Sequence, residues 1–247
     1  MAERSDQDGT PADLEQIRTL GIIGAGRVGR VLARLAREAG YRVLVAGSGD
    51  PGRIAVPIGA VAPGATAAEA SVVARDADAV VLALPLPRYR ELPVEELRGR
   101  IVIDAMNYWW EVDGLRSDLA DLRTTTSETV QRFLPQSRVV KAFNHMGYRD
   151  LDEEARPAGA PGRKAIAVAG DDAAAVGAVM RIVDALGFDP VLAGPLREGI
   201  KLEPGAEAFG ADVDAAELQA MLDRFETSQR GIVVARARRD AGTDAAP

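Results

Sequence analysis

The stretch Gly21-Ile22-Ile23-Gly24-Ala25-Gly26-Arg27-Val28-Gly29-Arg30 decides how this chain folds. Its first residues close a short apolar strand, Thr19–Ile23, that runs straight into a glycine-rich turn. A helix then spans Val28–Ala39, with Val28, Val31, Leu32, Leu35 and Ala36 on one face and Arg30, Arg34 and Arg37 on the other. Gly24, Gly26 and Gly29 stand at the G-x-G-x-x-G spacing. The first turns the chain off the strand, the second lets backbone approach a pyrophosphate, and the third lets the helix pack close to the strand. The helix N-terminus offers free N–H groups and partial positive charge to phosphates. A second strand, Arg42–Ala46, follows Gly40, so the motif sits in the strand–turn–helix–strand context that a dinucleotide site needs. The competing reading is a tight turn that binds nothing.

Beyond Ala46 the alternation continues. Gly47–Ala67 is rich in Gly, Pro and Ala and holds a short helix near Arg53 and an extended piece near Ala65. A small-residue helix covers Ala68–Ala74. Ala79–Leu84 is a continuous apolar run, the mark of a strand buried on both faces of a parallel sheet; Pro85 and Pro87 end it. The pattern then predicts a helix over Glu91–Leu97, a strand over Ile101–Ala105, a helix over Ser127–Leu134 capped by Ser127, and a strand over Val139–Phe143. Met146–Gly162 reads as polar and irregular. A further unit follows: strand Ala165–Ala169, helix Asp172–Leu186 capped by Asp171 or Asp172, strand Asp189–Ala193. A last helical stretch runs from Ala215 to Phe225 and on toward Arg236. The expected fold class is α/β, a Rossmann-type doubly wound parallel sheet with a small C-terminal α/β extension. The expected division is a disordered leader over 1–17, a nucleotide-binding domain over 18–145, an extension over 146–238 that completes the substrate pocket, and a loose tail over 239–247.

Composition narrows the function. Of 247 residues, 47% are hydrophobic, enough for a sizeable core, and only 4% are aromatic, so aliphatic and alanine packing must fill it. A net charge of −7 argues against general nucleic-acid binding, which wants a basic face. With no cysteine there is no disulfide, thiolate metal site or cysteine nucleophile, and the single histidine, His145, excludes a multi-histidine metal site. No apolar run reaches the roughly 18 residues of a membrane span, and Met1–Asp13 has no signal-peptide core. The expectation is a cytoplasmic homodimer that acts on a small molecule, without metal, nucleic acid or membrane partner.

The second strand ends Val45-Ala46-Gly47-Ser48-Gly49-Asp50. NAD sites place a carboxylate at this strand end for the ribose 2′-hydroxyl. Ala46 and Gly47 instead leave room for a 2′-phosphate, to which Ser48 can donate and Arg53 can offer a charge-assisted fork. NADP(H) is therefore the expected cofactor; Asp50, if turned inward, would argue for NAD, and Arg53 taken alone reads as a surface arginine. Acid/base groups are scarce. His145 follows a strand at the carboxyl end of the sheet and reads equally as a proton carrier or as a hydrogen-bonded structural residue. Lys141 is expected to pair with a carboxylate or face a helix. The loop Asp104-Ala105-Met106-Asn107-Tyr108-Trp109-Trp110 holds both tryptophans, which can stack on a flat ligand or else cover the sheet end or an oligomer interface. The shortage of catalytic groups suits hydride passing directly between two bound cofactors, with the protein positioning their rings.

Gly24–Gly29, the Gly47-Ser48 turn, Leu82-Ala83-Leu84-Pro85, Val139-Val140-Lys141-Ala142-Phe143-Asn144, Ala169-Gly170-Asp171-Asp172 and Ala193-Gly194-Pro195-Leu196 together resemble the NADP oxidoreductases dependent on coenzyme F-420. The resemblance runs from about Thr19 to Leu202 and is strongest to the bacterial branch with Asp104-Ala105-Met106-Asn107-Tyr108-Trp109. It implies hydride transfer between NADPH and the deazaflavin of coenzyme F-420, or a flavin in its place. It implies that Ser48 and Arg53 hold the 2′-phosphate and that Leu84, Pro85 and Leu86 lie along the nicotinamide. Gly24, Ala25, Gly26, Arg27, Val28, Gly29, Gly49, Ala105 and Asn107 complete the expected cofactor-binding set. Asn144, His145, Met146 and Gly147 would border the deazaflavin, with Trp109. No residue receives an obligatory catalytic role; Asn144 and His145 are the pocket candidates. Two departures stand out: Gly49 occupies a position where the archaeal enzymes have Arg, and Asn144-His145 replaces their His–Thr pair. The alternatives are a non-catalytic NADP-binding redox sensor and an NADPH reductase of a small carbonyl or imine.

Overall fold

Each apolar run of the sequence becomes a strand. The computed structural model describes residues 17–243. In chain order the elements are β1 (Thr19–Ile23), α1 (Arg27–Glu38), β2 (Arg42–Ala46), α2 (Gly52–Val61), β3 (Thr66–Ala67), α3 (Ala70–Asp76), β4 (Ala79–Leu82), β5 (Ile101–Asp104), α4 (Trp110–Asp113), α5 (Thr126–Phe133), β6 (Arg138–Lys141), α6 (Tyr148–Glu153), β7 (Ala165–Gly170), α7 (Ala173–Ala185), β8 (Asp189–Gly194), α8 (Ala215–Asp223) and α9 (Gln229–Thr243). Short 3₁₀ helices occupy Leu86–Glu91, Leu196–Leu202 and Phe225–Thr227. The strands form one sheet in the order β3-β2-β1-β4-β5-β6-β7-β8. The order reverses between β1 and β4, which opens a crevice at their carboxyl ends, where ligands of open α/β sheets bind.

Alternation along the strands covers both faces. Ile22, Val43, Val45, Val81 and Ile103 pack with α1 and α7 on one side. Ile23, Leu44, Val80, Leu82 and Val102 pack with α3 and α5 on the other. Strands buried on both faces need no polar alternation, which is why they read as plain apolar runs. The fold is the expected Rossmann-type α/β sheet, with one local difference. Six neighbouring pairs are parallel, whereas β6 and β7 are antiparallel and overlap only through Val140–Gly170 and Lys141–Ala169. Strand β7 therefore begins beyond the carboxyl end of β6 and runs back toward it.

Three local expectations need correction. No helix forms over Glu91–Leu97: Pro93 pushes Leu92 into an extended conformation, and the 3₁₀ helix lies earlier, at Leu86–Glu91, with Pro87 in its first turn. Thr125, not Ser127, caps α5, through a capping box with Glu128; the Ser127 side chain is drawn elsewhere. The stretch read as irregular contains α6, which buries Leu151. The leader expected over 1–17 lies almost wholly outside the described residues, as do the last four residues of the tail; α9 continues through Thr243.

Candidate functional site

The glycine turn does what its letters ask. Gly24 takes φ +124°, and a Cβ there would stand 2.2 Å from the Ala83 carbonyl oxygen, so only glycine lets β1 leave the sheet beside the end of β4. A Cβ on Gly29 would meet the Gly24 carbonyl oxygen at 1.8 Å, which ties the first turn of α1 to the strand end. A Cβ on Gly26 would meet nothing. Gly26 is also the N-cap of α1, with no side-chain cap, so the first N–H groups of the helix face open space. Around this turn lies a cavity of about 380 Å³. Its walls include Gly24, Ala25, Gly26, Ser48, Leu84 and Pro85, all expected from the sequence, and also Arg30 and Arg88, which were not. Arg30 folds back so that its Nε donates to the Ala25 carbonyl at 2.9 Å. Arg88 is ion-paired to Glu91 in the 3₁₀ helix after β4. Arg53 is exposed on α2, and Ile54 takes the neighbouring place in the cavity wall. Arg27 turns toward Tyr148, donating to its hydroxyl at 3.2 Å and stacking on the ring.

The loop after β5 is pinned by a buried ion pair. Lys141 Nζ lies 3.3 Å from Asp104 Oδ2 and donates to the Met106 carbonyl at 2.6 Å, with neither charged side chain exposed. Asp104 also accepts from Ser127 Oγ at 2.6 Å and from the Met106 N–H at 2.9 Å. Lys141 thus pairs with a carboxylate, as expected, and Ser127 serves the loop instead of its helix end. The pinned loop presents Asn107, whose amide donates to the Asn144 carbonyl at 2.7 Å. Asn144 Nδ2 donates to Asn107 Oδ1 at 3.0 Å and to the Leu202 carbonyl at 2.7 Å. The two acceptors fix the amide of Asn144 and leave its Oδ1 buried with no partner. Phe143 sets this up: among the described residues it alone, glycines aside, has a positive φ, +63°. A bulky residue in that region costs about 1–2 kcal/mol, and here it turns the chain off β6 to deliver Asn144.

His145 is sealed, 1% exposed. Its Nε2 accepts the Ala167 N–H at 2.9 Å. Because β6 stops at Lys141, Ala167 on β7 has no strand carbonyl beside it, and the imidazole stands in for the missing ladder acceptor. That bond leaves the proton on Nδ1, near the Ala208 carbonyl but without hydrogen-bond geometry. Burial pushes the His145 pKa down to about 4, so the ring is neutral. Met146 is buried as well, and Gly147 opens α6 at the surface.

A second cavity, of about 760 Å³, starts at Tyr108 and is lined by Trp109, Trp110, Phe209, Glu203 and Arg230 among others. Trp109 meets Phe209 edge to face at 5.4 Å. The tryptophans are 44% and 59% exposed, an unusual amount for rings of that size. Glu203 accepts from both the N–H and the hydroxyl of Thr126, each at 2.8 Å. Burial raises its pKa, while Lys141, Thr126 and Arg230 pull it the other way. Of the residues expected to face a second ligand, only Trp109 lines this cavity; Asn144, His145 and Met146 are buried and line neither cavity, and Gly147 is exposed. Glu203, Phe209 and Arg230 went unnoticed because they come from distant segments that only the fold gathers.

Residues 19–108 match the family described as NADP oxidoreductase, coenzyme F420-dependent. Over that stretch the chain is similar to this family. A hypothetical protein of Sinorhizobium meliloti superposes with a TM-score of 0.71 at 26% identity, covering 81% of this chain and 96% of that one. A proposed F420-dependent NADP reductase of Arthrobacter sp. FB24 superposes with a TM-score of 0.62, also at 26% identity, over 73% of this chain and 86% of its own. The Escherichia coli K12 protein YjhV is 38% identical over 81 residues, a match spanning 33% of this chain and 57% of that relative. The family's match ends at Tyr108, where the aromatic cavity begins. No helix among the described residues is long and apolar enough to cross a membrane.

Proposed function

We propose that this protein passes hydride between NADP(H), held in the glycine-turn cavity, and a flat aromatic acceptor, the deazaflavin of coenzyme F-420 or a flavin, seated in the aromatic cavity. The observation that carries this reading is the Asn107–Asn144 bridge. Asn107 is followed at once by Tyr108 in the aromatic wall, and Asn144 holds Leu202, the residue before Glu203. The carboxyl ends of β5 and β6, toward which a nicotinamide points when its pyrophosphate rests on the β1 turn, therefore adjoin the second cavity.

The residues fit a bound dinucleotide. Gly26 leaves a cradle that a Cβ would fill, and the first N–H groups of α1 lack acceptors. Ser48, Arg30 and Arg88 line the same cavity and Arg53 stands exposed on α2 beside Ile54 of its wall, a set of donors that suits a 2′-phosphate. The buried, unpartnered Oδ1 of Asn144 suits a carboxamide N–H₂. When bound, the nicotinamide supplies the hydride. The chain's part is positional: Trp109 and its neighbours hold a flat ring and exclude water, and Asn107 with Asn144 fixes the boundary between the seats. His145 is neutral and sealed, so it donates no proton to a carbonyl or imine, which favours ring-to-ring transfer over that alternative.

The test is to mix the protein anaerobically with NADPH and coenzyme F-420 and, in a second arm, with flavin mononucleotide. The reading expects loss of the acceptor's visible absorbance, abolished by Trp109→Ala with NADPH binding kept. NADPH binding without reduction of either acceptor would make the protein a redox-sensing module instead.

A further inference from the structure

Resting on that reading of the aromatic cavity, we infer that Arg230 receives a single phosphate carried on the side chain of the flat acceptor. Arg230 is the one cation among the described residues lining the cavity. It enters from the start of α9, lying over Gly205, where its Cδ, Nε and Cζ would come within 3.9–4.0 Å of an added Cβ. Its Nε is buried and has no hydrogen-bond partner. No carboxylate forms an ion pair with it: Glu203 is near enough for the two charges to favour each other, but its bonded oxygen is held twice by Thr126, and Asp121 pairs with Arg123 at 2.7 Å. A buried guanidinium nitrogen without a partner is expensive to keep, and a planar donor fork left open beside an apolar floor matches a phosphate.

The rest of the lining sets how much anion the site takes. Glu111, Asp121 and Glu203 face the same cavity, so it offers one positive group against three carboxyls. One phosphate finds a partner there; a longer polyanion finds none for its further charges and must run into solvent. The aromatic walls take the ring and Arg230 takes the end of its side chain.

Paired ligands separate the two halves of this inference. Riboflavin and flavin mononucleotide share a ring and differ by the phosphate; coenzyme F-420 and its unphosphorylated deazaflavin core form a second pair. Quenching of ligand fluorescence by the protein reads each affinity without turnover. The expected result is that at least one phosphorylated member binds about tenfold or more tightly than its partner, the scale of one charge-assisted contact. Arg230→Met should bring that member to the level of its partner while leaving the unphosphorylated ligand nearly unchanged, and Arg230→Lys should keep part of the preference. Circular dichroism establishes that the variants fold, and the wild-type preference stands as a test even if they do not. Binding of the bare rings with no preference for phosphate overturns the assignment of Arg230 and leaves the acceptor seat standing. Equal weakening of both members by Arg230→Met does the same. Failure of every ring to bind overturns the acceptor seat, and this inference with it.

Discussion

The two cavities are made from different materials. The cavity at the glycine turn is organised by backbone, a glycine turn, a helix start and two strand ends, with all its lining drawn from residues 23–93. The aromatic cavity is built from side chains brought together from residues 108–122, Thr126, 203–209 and Arg230. Backbone geometry is dictated by local letters, because only glycine adopts φ +124° beside a carbonyl at 2.2 Å. A side-chain wall depends on which segments the fold makes neighbours. On the two-seat proposal, backbone holds the first seat to one ligand class, whereas the second can change its ligand by substitution.

The comparison breaks most visibly at Lys141. Removing one member of a buried ion pair leaves the other charge uncompensated and costs about 3–5 kcal/mol. Lys141→Met should cost that much in denaturant unfolding, and a Lys141→Met/Asp104→Leu double variant should recover part of it. If the double variant folds, it should keep NADPH binding and lose acceptor binding, because the loop that carries Trp109 has lost its anchor.

Within the nucleotide seat, Gly29→Ala and Gly26→Ala separate folding from binding. At Gly29 the added methyl strikes backbone at 1.8 Å, so the helix start must move; about 3 kcal/mol of stability should go, at the upper end of ordinary overpacking. At Gly26 the methyl meets no protein atom, so thermal unfolding should shift little while NADPH affinity falls at least as far as in Gly29→Ala. Equal melting losses in the two variants would contradict the distinction.

His145 gives a smaller effect, read against pH. Its folded pKa, about 4, lies below the ordinary 6.5, so the unfolded chain binds the proton first as pH falls. Stability contributed by the neutral ring is present above about pH 6.5 and is lost on acidification. The loss should be on the order of 2 kcal/mol between about pH 7 and about pH 5. His145→Gln, which keeps an acceptor for Ala167 without titrating, should flatten that limb of the stability curve.

The glycine turn, the strand runs and the capping of α7 by Asp172 were legible because each rests on contacts a few residues long. Thr125-x-x-Glu128 is legible too, as a capping box that outranks Ser127 as the helix cap. His145 was ambiguous in sequence because its role depends on where β6 stops and β7 starts, a register that no local pattern carries. Asn144, Glu203 and Arg230 meet partners from distant segments of the chain, so their roles wait on the fold: Asn144 bonds Asn107 across 37 positions, and Glu203 bonds Thr126 across 77. The free Nε of Arg230 has no signature in sequence at all.

The most direct test of the two-seat account follows one atom. NADPH carrying deuterium at the transferred position is mixed in a single turnover with the deazaflavin of coenzyme F-420, whose reduced ring carbon does not exchange its hydrogen with water, and the product is examined by mass spectrometry. The account predicts deuterium in the deazaflavin, a slowed rate for the labelled cofactor, and neither with Trp109→Ala. NADPH bound in the glycine-turn cavity with no label reaching the ring, or label lost to water, would contradict it.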